Sequence, residues 1–318
     1  MTLRCGIIGL GRIAWRYDLG RWDGVRSVSH ASCIARHQET TLVAVLDPNA
    51  DARKSFATDG PSENVAICDD ADTFFAQGLD LVTIASPSEH HPAHIKSCFD
   101  ARIPYLFVEK PVTLELAEFD QLLSDHRDGP FQPRVTVNFF RRFLPQFWHF
   151  KEHMQTVKGS GFLHVNYSRR LDVNGVHLLD IIGFLFDKQI PPELEWCDNS
   201  DPNNPDLGLN INRISVVITG QDLPYHALDA RFTDARGRLS IIQGGRALTW
   251  EAREDNPDYP GFYHLAPPIQ PSVDFDPAAT MRDGTYLAFC NLVDDSVPSL
   301  APLASAYFSQ SLMERAFS

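Results

Sequence analysis

The chain has 318 residues, 43% hydrophobic and 22% charged, with a formal net charge of −13. That length allows two domains with a large core, and the acidic balance argues against a nucleic-acid or membrane-surface partner. The 6 cysteines stand singly, without metal-ligand or disulfide spacing, and no apolar run is long enough to span a bilayer. A cytoplasmic protein without a metal is the expectation.

Up to about residue 140, short apolar runs alternate with helical patterns. CGIIGL (5–10), LVAVLD (42–47), VAIC (65–68), LVTIAS (81–86), YLFVEK (105–110) and RVTVNF (134–139) read as strands. Helices fit 50–57, 70–77, 91–101, 115–126 and 145–157. Near-continuous Val, Ile and Leu suits a sheet covered on both faces. The alternation predicts an α/β doubly wound parallel sheet of Rossmann type.

The first strand runs into Gly9-Leu10-Gly11-Arg12-Ile13-Ala14. Gly9 permits a tight turn, Gly11 a close approach of backbone to pyrophosphate, and Ala14 close helix packing. The following helix would turn its N-terminal amides to the phosphates. Asp47 ends the second strand. A carboxylate there suits the ribose hydroxyls of NAD and repels a 2′-phosphate; the alternative is a turn residue before Pro48. NADP stays open, since Arg12, Arg53 and Lys54 leave room for a phosphate.

Asp47 lies further from the glycines than the roughly 20 residues usual for this motif. The extra chain, residues 15–29, contains Gly20 and Gly24 and reads as an inserted loop before a helix starting near Ser29. It is either a lid bringing Tyr17, Arg21, Trp22 or Arg26 to a substrate, or a surface excursion.

After about residue 160, strands at 162–168, 213–219, 226–233, 238–243 and 247–252 follow in series, with Gly220, Gly237, Gly244 and Gly245 at the turns. This predicts an antiparallel sheet, with one helix at 175–186, a loop at 255–277 and closing helices at 282–295 and 301–316. The domains expected are 1–140 for the dinucleotide, and 141–318 as an α+β domain with a largely antiparallel open sheet.

Four segments, in this order, resemble the glucose-fructose oxidoreductase/inositol dehydrogenase/MocA family: IGLGRIA at 8–14, ASPSEHH at 85–91, Glu109-Lys110-Pro111, and GVHLLD at 175–180. The EKP triplet is the most specific. The resemblance implies NAD(P), and hydride transfer to or from a sugar-like carbon. It implies Lys110 and His177 as the acid/base pair, with Ser86, Pro87, His91 and Glu109 beside the cofactor. An ammonium near the nicotinamide can stabilise a developing alkoxide or relay a proton. Glu109 would orient Lys110 or hold the nicotinamide ribose, and Pro111 stiffens the loop. Without the family, a lysine at a strand end is a surface charge.

His177 falls near a helix start, with Asp180 three residues on and on the same face; Asp180 either orients the ring or is solvated. Many relatives carry Asp four residues before the histidine. Here that position is Val173, between Asp172 and Asn174. Three readings stand: Asp172 takes the role, Lys110 and His177 suffice, or the chain binds cofactor without turnover. Arg142 and Arg169 suit an anionic group on the substrate, the alternative being ion pairs. With Tyr17, Asp172 and Asn174 they form the candidate substrate set.

The reading is an NAD(P)-dependent oxidoreductase of a sugar, cyclitol or nucleotide-sugar. The rival is a non-catalytic NAD(P)-binding regulator or scaffold. Family precedent implies a homodimer or homotetramer through the open face of the second sheet.

Overall fold

Six parallel strands form the first sheet: β1 (Leu3–Ile8), β2 (Thr40–Leu46), β3 (Ala66–Cys68), β4 (Leu81–Ile84), β5 (Tyr105–Val108) and β6 (Arg134–Val137). Their order is β3-β2-β1-β4-β5-β6. Helices α1 (His30–Arg36), α2 (Ala50–Asp59), α3 (Ala71–Phe75), α4 (His91–Asp100) and α5 (Leu116–Asp128) connect them. Cys5, Ile7, Val45, Val82, Ile84 and Leu106 are fully buried, as a sheet covered on both faces requires. The strand order reverses between β1 and β4, so their carboxyl ends open a crevice where such sheets bind ligands. The computed structural model describes residues 2–20, 27–273 and 280–318.

A second sheet follows α6 (Pro145–Gln155). It begins with β7 (Gly161–Ser168), which leads through a π-helical turn (Arg170–Gly175) into α7 (Val176–Leu185). Then come β8 (Leu194–Asp198), β9 (Asp206–Ile211), β10 (Ile214–Gln221), β11 (Leu228–Asp234), β12 (Gly237–Ile242), β13 (Ala247–Asp255) and β14 (Tyr263–Leu265). The order is β14-β13-β12-β11-β7-β10-β9-β8. Neighbours are antiparallel except β7 and β10, which run parallel. Leu163, Val165 and Tyr167 of β7 are buried, while Phe162, His164 and Asn166 alternate onto a more open face. Every residue of α7 is buried, which explains a helix apolar nearly all round.

Two further helices, α8 (Thr280–Val293) and α9 (Tyr307–Phe317), close the chain. The units are Met1–Phe140 with Met281–Ala306, and Arg141–Thr280 with Tyr307–Ser318. The segment 281–306 thus packs with the first unit although it follows the second sheet in the chain. Arg134 Nη2 holds it by donating to the carbonyls of Asn291, Asp294 and Val297 at 2.7, 3.0 and 2.6 Å, and Val137 N–H donates to Ala301 O at 2.8 Å. No helix among the described residues is long and apolar enough to cross a membrane.

Candidate active site

The glycines after β1 do different work. Gly9 has φ +92°, and a Cβ there would lie 2.5 Å from the backbone N of Ser86, so only glycine lets this turn pack on the end of β4. At Gly11 a Cβ would meet nothing within 4 Å, an exposed cradle on the crevice side that a phosphate group fits. Ala14 is fully buried, as close packing requires; Ile13 is half-buried and Arg12 exposed.

Asp47 accepts Leu10 N–H on Oδ2 at 2.8 Å and Asn49 N–H on Oδ1 at 2.9 Å. It ties the glycine turn to the end of β2, and each oxygen keeps a lone pair for a ribose hydroxyl. Arg53 Nη1 donates to the carbonyls of Asp47 and Pro48 at 2.8 and 2.9 Å, which fixes its guanidinium beside this turn.

The expected run of helix amides facing the phosphates is not what forms. A turn with a 3-10 helix at Arg16–Asp18 follows the glycines, and α1 starts only at His30. His30 N–H and Ala31 N–H donate to the carbonyls of Ile13 and Ala14 at 3.0 and 2.9 Å, so those amides are spent on the turn itself. The inserted residues displace the helix. Tyr17 is exposed; Arg21, Trp22 and Arg26 lie outside the described residues.

At the end of β4, His91 is buried with Nδ1 2.9 Å from Pro111 O and Nε2 2.8 Å from Ser86 O. Its ring bridges the loops after β4 and β5. Burial holds the imidazole below its ordinary value against the pull of the two carbonyls. Ser86 Oγ lies 2.9 Å from His94 Nδ1, and Pro87 precedes a 3-10 turn at Ser88–His90. His91 therefore shapes the crevice wall with a ring already engaged on both sides.

Lys110 is half-buried just beyond β5, and its peptide bond to Pro111 is cis. Glu109 is buried. Its Oε1 accepts His30 Nε2–H at 2.9 Å and Asn138 Nδ2–H at 2.6 Å, and its Oε2 accepts Lys110 N–H at 3.3 Å. Burial alone would raise this carboxyl, but the His30 hydrogen bond, Lys110 and Asn138 together lower it to about 2. Glu109 is thus a charged anchor beneath the lysine. His30 and Asn138 escaped the sequence reading, since nothing local marks a residue whose partner lies 79 or 29 positions away.

In the second unit, His177 is buried as the second residue of α7. Asp180 neither orients its ring as its main engagement nor is solvated: it is buried and forked by Arg142, Nε to Oδ2 at 2.8 Å and Nη2 to Oδ1 at 2.7 Å. The Arg142 fork expected for a substrate anion is spent on this pair, inside one unit. Burial pushes Asp180 up to about 6, opposed by Arg142 and Arg141.

The π-helical turn holds the remaining candidates. Arg169 and Arg170 both take positive φ, 64° and 75°, which turns the chain out of β7. Asp172 pairs with Arg170 at 2.9 and 2.6 Å, and Asn174 Nδ2 donates to Ser168 O at 3.1 Å. Arg169 and Val173 are exposed.

Residues 3–128 match the oxidoreductase family with NAD-binding Rossmann fold, GFO_IDH_MocA. An inositol 2-dehydrogenase of Saccharopolyspora erythraea is 29% identical over 147 residues, 46% of this chain and 40% of that protein. The curated relatives are thus matched over only part of their length. Among solved structures, UDP-N-acetylglucosamine 3-dehydrogenase from Acidithiobacillus ferrooxidans superposes with TM-score 0.74 at 16% identity, over 99% of this chain and 96% of that one. A mutant 3-ketoreductase from Actinomadura kijaniata, in complex with TDP-benzene and NADP, gives 0.68 at 14%, over 99% and 96%. At such identities the likeness is one of fold.

Proposed function

We propose that the chain, whose residues 3–128 match the Gfo/Idh/MocA family of NAD-binding oxidoreductases, is a member of that family and transfers hydride between nicotinamide and a hydroxyl-bearing carbon of a sugar, cyclitol or nucleotide-sugar. The observation that carries this is the open cradle at Gly11, in the same unit as a lysine seated on a buried carboxylate. NAD(P) supplies the hydride acceptor or donor when bound. The turn from Gly9 to Ala14 holds the pyrophosphate, and Asp47 the ribose. Lys110 and His177 exchange the proton of the substrate hydroxyl. Asp172 is tied to Arg170 and Asn174 to Ser168, which supports a reaction run by Lys110 and His177 without the aspartate that many relatives use. The inositol and nucleotide-sugar enzymes among its relatives and fold neighbours support the substrate class. A second copy of the chain covers the open face of the second sheet.

The experiment is turnover with NAD and NADP against inositols, free sugars, and UDP- and TDP-sugars, followed by NAD(P)H absorbance. Val173 favours one rival, cofactor binding without reaction. Tight NAD binding with no turnover across that panel selects the rival.

A further inference from the structure

The start of α1 is fixed by the inserted segment. Asp18 is buried, and its Oδ2 accepts Ser29 N–H at 2.7 Å and the Ser32 hydroxyl. Ser29 Oγ accepts Ser32 N–H at 3.4 Å, the ordinary cap of a helix N-terminus. With the His30 and Ala31 amides held by Ile13 and Ala14, the first turn of α1 is pinned from both sides.

That turn delivers one side chain to the lysine site. His30 is fully buried, edge-on to Phe107 at 5.1 Å and 89°, with Nε2 2.9 Å from Glu109 Oε1. Its Nδ1 is buried and meets no hydrogen-bond partner among the described residues. A proton there would be an unpaired donor in a dry interior, which costs about 1–3 kcal/mol or more. Nε2–H is therefore the donor and Glu109 the acceptor.

We propose that His30 is a positioning residue for Lys110: its Nε2–H holds the Glu109 carboxylate against the Lys110 peptide, and Asp18 keeps α1 at the register this contact needs. Through Asp18 and Ser29 the inserted segment on this view builds the base of the lysine site. A Glu109 held as the anion favours the ammonium form of Lys110 through its charge. Among the described residues, the charge of Glu109 also acts on His91 and Cys33. The inference rests on the reading of Lys110 as the proton-transfer group, but its test needs no substrate.

The pair His30→Gln and His30→Asn separates the hydrogen bond from the bulk of the ring. A glutamine amide reaches the position of Nε2, whereas an asparagine amide reaches only that of Nδ1. Lys110 is titrated by NMR in the full-length chain with labelled lysine, its signal assigned by its loss in Lys110→Arg. The Gln variant should titrate as the parent does. In the Asn variant the carboxylate stays ionised but is no longer held against the Lys110 peptide, so the half-titration pH should fall measurably as that charge moves away. Asp18→Asn, which leaves His30 and Glu109 in place, should move it the same way by less, and it decides the matter if His30→Asn does not fold. Equal midpoints in the Gln and Asn variants overturn the proposal, as does an Asp18→Asn midpoint identical to the parent's. An empty substrate panel would overturn the function proposed above and leave this result untouched.

Discussion

Arg142 closes a two-point fork on Asp180, with both groups buried in the second unit. Burial pushes the Asp180 carboxyl up to about 6 against the pull of the arginines. The pair's value lies in orientation, at the start of the chain's second unit and one helical turn from His177. Arg142→Ala strands a buried carboxylate and should lower stability by about 3–5 kcal/mol, whereas Arg142→Met with Asp180→Leu should be close to neutral. Urea unfolding measures both. An Arg142→Ala chain of unchanged stability would return this arginine to the substrate candidates.

The two glycines should fail in different ways. Gly9→Ala meets the Ser86 backbone and a positive φ, so it should cost stability as well as NAD affinity. Gly11→Val points into open space; it should fold and melt like the parent yet lose NAD binding by calorimetry, because its methyls occupy the pyrophosphate cradle. Asp47→Ala should weaken NAD and narrow its advantage over NADP, and also loosen the turn through Leu10 and Asn49. An unmoved NAD/NADP ratio would leave Asp47 as a tether alone.

The parallel sheet was legible because its strands are short Val/Ile/Leu runs with no competing pattern. The second sheet was legible only in part. β9 carries Gly208 and turns into β10 through Asn212-Arg213, with φ of 54° and 68° and no glycine to announce the hairpin. β14 lies inside a Pro- and Asp-rich stretch that reads as loop. The return of Met281–Ala306 to the first unit depends on Arg134, a contact with no local signature. In the site, Gly9, Gly11 and Lys110 were visible as motif residues. Asp18, His30 and Asn138 were not, since each acts through a partner distant in sequence.

Glu109 gives a pH prediction with a definite sign. Its carboxyl is lowered from 4.5 to about 2 in the folded chain, so its contribution is complete above pH 4.5 and is lost as the pH falls toward 2. A displacement of that size corresponds to roughly 3 kcal/mol. Glu109→Gln should therefore be less stable near neutrality, and should lose less stability than the parent over that acid window. Parallel acid limbs for the two proteins in urea titrations at several pH values would contradict the charged, anchored Glu109.

The acid/base pair can be tested once a substrate is found. Lys110 and His177 should each be needed for proton transfer, so Lys110→Ala and His177→Ala should each slow single-turnover hydride transfer by about 10²–10⁴-fold. Neither residue is assigned to the pyrophosphate, so NAD affinity should change little. Asp172 faces Arg170 in a two-point pair, which holds its carboxylate in place. Asp172→Asn should accordingly cost far less than the other two, and Arg170→Ala, which releases the carboxylate, should not raise the rate. A collapse in Asp172→Asn would move the proton-transfer role to that residue. Near-normal rates in both Lys110→Ala and His177→Ala would overturn the mechanism.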